Sequence, residues 1–521
     1  MKKFQSIQVR RPKRSAFDLS HEKKLSCNMG DLIPVYLEPI IPGDKFKVSS
    51  EILVRLAPML APMMHRVNVF THYFFVPNRL TWDNWETFIT GGESGEETAN
   101  FPRCTMRESD ETWFQKGSLA DYMGLPIMDP DNPVTQNVSV SALPFRAYTH
   151  IYNEYYRDQN LEEPVNFGTG DTMDGDYQFI MSIRKRAWEK DYFTSALPWP
   201  QRGGEVGIPV SFQYKDASEL YLSTGEPMDD LTDYLASNND GLLSSYDGVS
   251  VKVPGRVENL ADESAQVSIN ELRKAARLQE WLEKNARAGS RYIEQILSHF
   301  GVRSSDSRLQ RPEYLGGGRQ AVTISEVIQQ SATVIDGGDP HANIPASPQG
   351  NMAGHGISIG GHHGFSKTFE EHGYILGIMS ILPRTAYSQG IERDWLKFDK
   401  FDFYWPEFAH LGEQEIMNGE IYADFQGTPN EHLTTWGYQS RYAEYKFKQS
   451  SIHGDFRDTL EFWHMSRKFT GPPALNKDFV ISNPTNRVFA VEDSTIDHLY
   501  VQIYNSVRAL RPMPYFGTPR L

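Results

Sequence analysis

The sequence predicts a mainly β protein: an antiparallel β-sandwich carrying large loop and helical insertions. Three observations predict it. Segments with a two-residue hydrophobic period sit towards both ends of the chain, where every second side chain would face one side of a sheet. A long helical and loop-rich stretch lies between them, rather than the regular strand–helix alternation of a parallel sheet. The composition, with 40 Gly, 31 Pro, 29 Phe, 25 Tyr and 10 Trp in 521 residues, suits many short strands joined by turns.

The elements follow in order. Residues 1–14 hold Lys2, Lys3, Arg10, Arg11, Lys13 and Arg14 and no acidic residue, which predicts an extended arm. Residues 45–57 alternate cleanly: Phe46, Val48, Ile52, Val54 and Leu56 occupy even positions, and only Ser50 interrupts them. The turn residues Pro42-Gly43-Asp44 precede this strand. A second, aromatic-rich strand is expected over 67–76, ended by Pro77. From about 80 to 200 the pattern is irregular, with one short helix expected over Leu143–Asn160. Residues 215–264 carry eleven Asp or Glu against Lys215, Lys252 and Arg256, as an exposed insertion would. A long helix is expected over 268–300. Ser268 and Glu271 have capping-box spacing, Gly289 is a candidate kink and Gly301 a C-terminal cap. Its apolar face would be Leu272, Ala276, Leu282 and Ala286. GYILGIMSIL at 373–382 is apolar on both faces and predicts a fully buried strand. Further strands are expected at 441–448, 486–492 and 498–504. The domain reading is a basic arm (1–20), a first part of the sandwich (21–210), an acidic surface insertion (211–267) and the remainder (268–521).

Composition and motifs exclude several function classes. The net charge is −15, so any contact with nucleic acid is local rather than spread over the surface. Only Cys27 and Cys104 are present, which is no disulfide framework. No apolar run has the length of a membrane span, and the N-terminal segment lacks a signal-peptide core. Gly354, Gly356 and Gly360 approach a dinucleotide fingerprint, but Ile359 stands where the third glycine belongs. His341, His355, His362, His363 and His372 are dense without the spacing of a metal site, and read as solvated histidines on a glycine-rich loop. No nucleophile elbow or phosphate loop is present. The residues therefore propose no catalytic, cofactor or metal site. The rival reading is a β-sandwich that binds or hydrolyses polysaccharide, its aromatics lining a groove.

Six segments carry a resemblance. They are SAFDLSHEKKLSCNMGDLIPVYLEPIIPGD (15–44), RLAPMLAPMMHRVNVFTHYFFVPNRLTWDNWETFITGG (55–92), LQEWLEKNARAGSRYIEQILSHFGVRSSDSRLQRPEYLGGG (278–318), EHGYILGIMSILPRTAYSQGIERDW (371–395), FDFYWPEFAHLGEQ (401–414) and YAEYKFKQSSIHGDFRDTLEFWHMSRKF (442–469). In this order, over most of the chain, the set resembles the major capsid proteins of microviruses, in particular the gokushovirus-like branch. The resemblance implies a single eight-stranded jelly-roll β-barrel. It implies sixty copies in a T=1 icosahedral shell around circular single-stranded DNA, assembled in the host bacterial cytoplasm. Its implied partners are a small basic DNA-binding protein, other structural or scaffolding proteins and a host surface receptor, reached by an insertion at the threefold axes. That insertion is expected at 215–264. By their charge alone, Lys2, Lys3, Arg10, Arg11, Lys13 and Arg14 are candidates for contact with nucleic acid or an acidic partner, joined by Arg508, Arg511 and Arg520, and with this reading the partner is the genome. Trp82 and Trp85, and Tyr404, Trp405 and Phe408, become candidates for subunit interfaces, where aromatics are favoured.

Overall fold

The computed structural model describes residues 13–106, 113–128, 138–172, 180–204, 206, 236–237, 243–244, 269–328, 352–427, 430–493 and 495–516. The chain divides into two compact units, residues 1–200 with 288–521, and residues 201–287.

Ten strands build two antiparallel sheets in the first unit. They are β1 (Ser15–Asp18), β2 (His21–Cys27), β3 (Ile33–Ile40), β4 (Lys45–Leu56), β5 (Val67–Pro77), β6 (Glu313–Ala321), β7 (Thr323–Ile328), β8 (Met352–Thr368), β9 (Gly373–Pro383) and β10 (Leu499–Arg511). In sheet one, β10 pairs with both β1 and β2 on one side, and the order continues through β4 and β8 to β7. Sheet two runs β6-β5-β9-β3.

The alternation in β4 sets which side of sheet one is the core. Phe46, Val48, Ile52, Val54 and Leu56 are all buried, while Lys45, Lys47, Glu51 and Arg55 are exposed. Opposite, Val501, Ile503, Val507 and Ala509 of β10 bury on the same side in register with β4. Ile33, Val35, Val67, Val69, Met379 and Ile381 of sheet two pack with Ile52, Val54, Leu56, Val501 and Ile503, and Tyr36, Tyr73, Phe75 and Ile375 pack with Phe46, Val48, Val507 and Ala509, so the sheets form a sandwich with its core between them. Ser50, the one polar break in the β4 pattern, keeps its place in that core. Its hydroxyl lies within hydrogen-bond reach of the Tyr73 hydroxyl of β5 and donates to Asn505 Oδ1 of β10. A buried polar group joined to both sheets in this way incurs no penalty for a missing partner.

Sheet two is buried on its second face as well. Phe74, Val76, Leu376 and Ile378 point away from the sandwich into a second core, with Phe145, Tyr148 and Ile151 of the helix Leu143–Ile151 and with Phe114 and Leu119. The two-sided apolar run 373–382 is thus a central strand, as its sequence predicts. The irregular stretch after residue 80 is its cover. Fully buried Arg146 ties that cover together, donating to the carbonyls of Thr81 (3.0 Å), Gly170 (2.9 Å) and Thr172 (2.9 Å).

Four expectations are corrected. Residues 441–448 form a single 3₁₀ turn at Ala443–Tyr445, entered through Tyr442 in the left-handed conformation. Residues 486–492 form a turn that buries Val488 and Phe489, with Phe489 bridging to Met59. In both places a few alternating apolar residues reach a core from loops. The glycine-rich segment around 354–364 is no loop but part of the 17-residue strand β8. Its His363 is buried instead of solvated. Glycine is needed there because backbones close in: a Cβ on Gly364 would lie 2.0 Å from the Val48 carbonyl oxygen. The helical region is two helices, Ile269–Ala288 and Tyr292–Phe300, broken at Gly289 with φ +101° and ended by Gly301 with φ +67°. In the first, Ala286 is buried, but Leu272, Leu278 and Trp281 are exposed. Ser268 and nearly all of the acidic stretch lie outside the described residues.

His72 of β5 gives the fold a pH dependence. Burial first, then the charges of Arg186 and His363, lower its pKa to about 4. Its Nδ1 sits 2.8 Å from the Tyr156 hydroxyl. The folded state thus keeps His72 neutral over a range where the unfolded chain takes up a proton. This part of the stability is complete above pH ~6.5 and is lost as the pH falls from there towards 4. Between pH 7 and 4.5, His72→Gln is expected to lose about 2–3 kcal/mol less stability than the parent. Urea titrations at the two pH values check it.

Candidate assembly surface

A single aromatic surface stands out on the first unit. It is built on residues 393–411, three short 3₁₀ turns at Arg393–Leu396, Lys400–Asp402 and Pro406–Phe408, beside the turn at 442–447. Local polar contacts shape these turns. The Asp402 carboxylate accepts from the backbone N–H groups of Phe398 (2.9 Å) and Asp399 (2.8 Å). The Trp405 indole N–H donates to the Lys400 carbonyl (2.8 Å), and the Trp405 backbone N–H donates to the Tyr442 hydroxyl (3.3 Å).

Buried charge anchors the base. Arg393 pairs with Glu420 at 2.9 Å, and Glu420 also accepts from the Tyr192 hydroxyl. The Lys397 side chain is nearly enclosed. Its Nζ is 2.7 Å from Asp394, 3.6 Å from Glu444 and 3.9 Å from the centre of the Tyr445 ring. Burial alone would lower the pKa of Lys397, but the contacts with Asp394, Tyr445 and Glu444 outweigh it and the pKa is raised. The cation is therefore held charged under the aromatic layer.

The rings themselves face solvent. Trp395 is 76% and Phe398 85% exposed, and Phe401, Phe403, Tyr404, Trp405, Leu411, Tyr445 and Phe447 are all about half exposed. Side chains of this size expose on the order of 1,000 Å² together. That exceeds the apolar patch of an ordinary monomer and matches one partner's share of a standard protein interface.

The predicted interface residues divide. Tyr404, Trp405 and Phe408 lie on this surface, with Tyr404 packed edge-on to Tyr442 and Phe408 to Phe401. Trp82 does not reach any surface. It is wholly buried among Trp85, Phe88 and Phe101, and its indole N–H donates to Asp171 at 2.7 Å. Trp82→Ala is expected to cost the isolated subunit about 3 kcal/mol, read as a lowered unfolding midpoint, rather than to act at a contact between copies. Trp85 is half-buried over it and keeps some exposure. Of the basic arm, Lys13 and Arg14 are described and exposed, whereas Lys2, Lys3, Arg10 and Arg11 lie outside the described residues, as does Arg520. Arg508 is exposed, but Arg511 is committed to Glu38 (2.7 Å) and Asp44 (3.5 Å). Trp395 and Phe398 lie outside the loops 73–92 and 401–412 expected at interfaces. The signal for them is the run of aromatics without any helical or strand period from 395 to 408.

Among the described residues, no three His, Cys, Asp or Glu side chains gather as metal ligands, and no helix is long and apolar enough to cross a membrane. Among the described residues, an antiparallel sandwich with this aromatic layer exposed has the features of a protein that meets other protein surfaces. The chain matches the capsid protein (F protein) family of phages over residues 5–521. It is 35% identical to capsid protein VP1 of Chlamydia phage 1, covering 100% of this chain and 97% of the relative. It is 36% identical to that of Bdellovibrio phage phiMH2K, covering 97% and 95%. With that of Spiroplasma virus 4 it shares 30% identity, covering 98% and 95%. The chain belongs to the phage capsid protein (F protein) family, among the capsid proteins of microviruses. It is a structural protein of the virion and not an enzyme, which sets aside the polysaccharide hydrolase reading.

Proposed function

We propose that this chain is the major shell protein of a T=1 icosahedral particle, in which sixty copies enclose a circular single-stranded DNA genome. The observation that carries self-assembly is the aromatic surface at 393–411, whose exposed area suits contact with another copy. Residues 1–14 supply local positive charge for the genome, and a separate small basic protein neutralises most of it. The acidic stretch 215–264 is proposed as the outward insertion that meets the host receptor. Other structural or scaffolding proteins assist assembly in the host cytoplasm.

The sandwich is proposed to be an eight-stranded jelly roll. Counting β2, β3, β4, β5, β6, β8, β9 and β10 as first to eighth, sheet one has the order first, eighth, third, sixth, and sheet two the order second, seventh, fourth, fifth. Two interleaved Greek keys produce this order. In this reading β1 extends the first strand and β7 is an added edge strand.

Negative-stain microscopy with light scattering on gently purified protein tests the proposal. Uniform particles of about sixty subunits are expected. Monomers or dimers in every preparation would overturn it.

A further inference from the structure

Among the described residues nothing covers the outer face of sheet one, whereas both faces of sheet two are covered by the chain itself. Strand register shows what that face carries. Lys47 stands opposite Arg508, and Arg55 opposite Tyr500. Lys45 continues the same column of β4, and Tyr504 lies between Tyr500 and Arg508 along β10. All six side chains are exposed. With Lys24 of β2 the face holds five cations against the carboxylates of Asp18, Glu22 and Glu51. Glu22 is already paired with Lys24 at 3.6 Å. A net positive sheet face is a local exception on a chain of net charge −15.

We propose that this face binds single-stranded DNA: Lys45, Lys47, Arg55 and Arg508 contact phosphates, and Tyr500 and Tyr504 stack on unpaired bases. The inference rests on the reading of the chain as a coat around a single-stranded genome, and names the surface that meets it. Interleaved cations and rings are the chemistry of sequence-tolerant single-strand binding, in which every base offers a face for stacking. Tyr500 and Tyr504 project from one side of one strand, about 13 Å apart, as two platforms along a path lined by charge. A broad sheet face has no element to enter a duplex groove, but it can carry splayed bases, as other aromatic-bearing sheets do. A second copy of this chain, itself strongly acidic, would meet the same cations without offering bases to the tyrosines.

The test is fluorescence anisotropy of the full chain with a labelled 20-nucleotide oligo-dT, at several salt concentrations and against a duplex competitor. In the triple variant Lys47→Gln, Arg55→Gln, Arg508→Gln, log Kd should depend on log salt with a slope smaller by about 2. Tyr500→Ala with Tyr504→Ala should weaken binding about tenfold or more. All these side chains point to solvent, so the thermal midpoints should stay at the parent value. If a variant nevertheless unfolds, photocrosslinking of the parent to bromodeoxyuridine-substituted DNA decides, with adducts on β4 and β10 expected. Parent-like binding by both variants, duplex preferred over single strand, or adducts confined to residues 1–14 would overturn the inference. Light scattering on the same preparation separates the two readings: particles with parent-like DNA binding by the variants defeat this inference alone, whereas no particles from the parent defeats the coat reading.

Discussion

Gly364→Ala combined with Gly317→Ala should yield no soluble subunit and no particles. In each sheet a glycine-bearing strand lies so close to its paired neighbour, β8 to β4 in sheet one and β6 to β5 in sheet two, that the approach tolerates hydrogen but not a methyl group. A Cβ on Gly364 would lie 2.0 Å from the Val48 oxygen and 2.9 Å from Ser49 Cα, and one on Gly317 2.1 Å from the Thr71 oxygen and 3.0 Å from His72 Cα. All four atoms are backbone of paired strands, so no side-chain rotation relieves the overlap. Gly318 extends the constraint, since its Cβ would meet the His363 ring. Forcing volume into a packed core costs about 1–3 kcal/mol per site and more where backbone must shift. Two such sites approach the whole stability of a domain, on the order of 5 kcal/mol or more. Gly471→Ala, where a Cβ meets nothing within 4 Å, is the matched control. Yield and circular dichroism of the three proteins check the prediction. A folded, assembling double variant would mean that β8 and β6 do not approach β4 and β5 this closely.

Such close backbone contacts leave no local sequence signal. The β4 strand was legible because one face is core and the other solvent, so burial imposed a strict alternation on Phe46 through Leu56. The GYILGIMSIL strand was legible because both its faces are core. Strand β8 was not. Its glycines exist for close backbone approach by residues far away in sequence, and a glycine run reads locally as a loop. Residues 441–448 and 486–492 failed in the opposite direction. Ala443, Val488 and Phe489 are buried from turns, and two or three buried residues in a turn mimic a strand period. Aromatic exposure was only partly legible for the same reason. Aromatic density marks both Trp82 and Trp405, but only the fold tells that Asp171, Phe88 and Phe101 enclose the first while the second faces water.

The last of these contrasts leads to the assembly test. Trp395→Ser, Phe398→Ser and Trp405→Ser together should leave a folded subunit that forms no particles. Trp395 and Phe398 are exposed in the isolated chain, and exposed apolar groups add little to its stability, so their replacement should leave the unfolding midpoint near that of the parent. Trp405 is 45% exposed and loses one indole hydrogen bond to Lys400, a cost of about 1 kcal/mol. In the shell the balance is different. Aromatic anchors at the centre of an interface each contribute about 2 kcal/mol or more, and every copy loses all three. A closed shell repeats each contact throughout, so weakening one contact type removes the particle cooperatively rather than in proportion. Sedimentation analysis should show the parent at particle mass and the variant at subunit mass, with matching near-native circular dichroism. Particles from the triple variant at the parent's yield would remove the 393–411 surface from the assembly and leave the contacts between copies to be sought elsewhere, with half-buried Trp85 and neighbouring Phe88 and Ile89 as the next apolar surface to test.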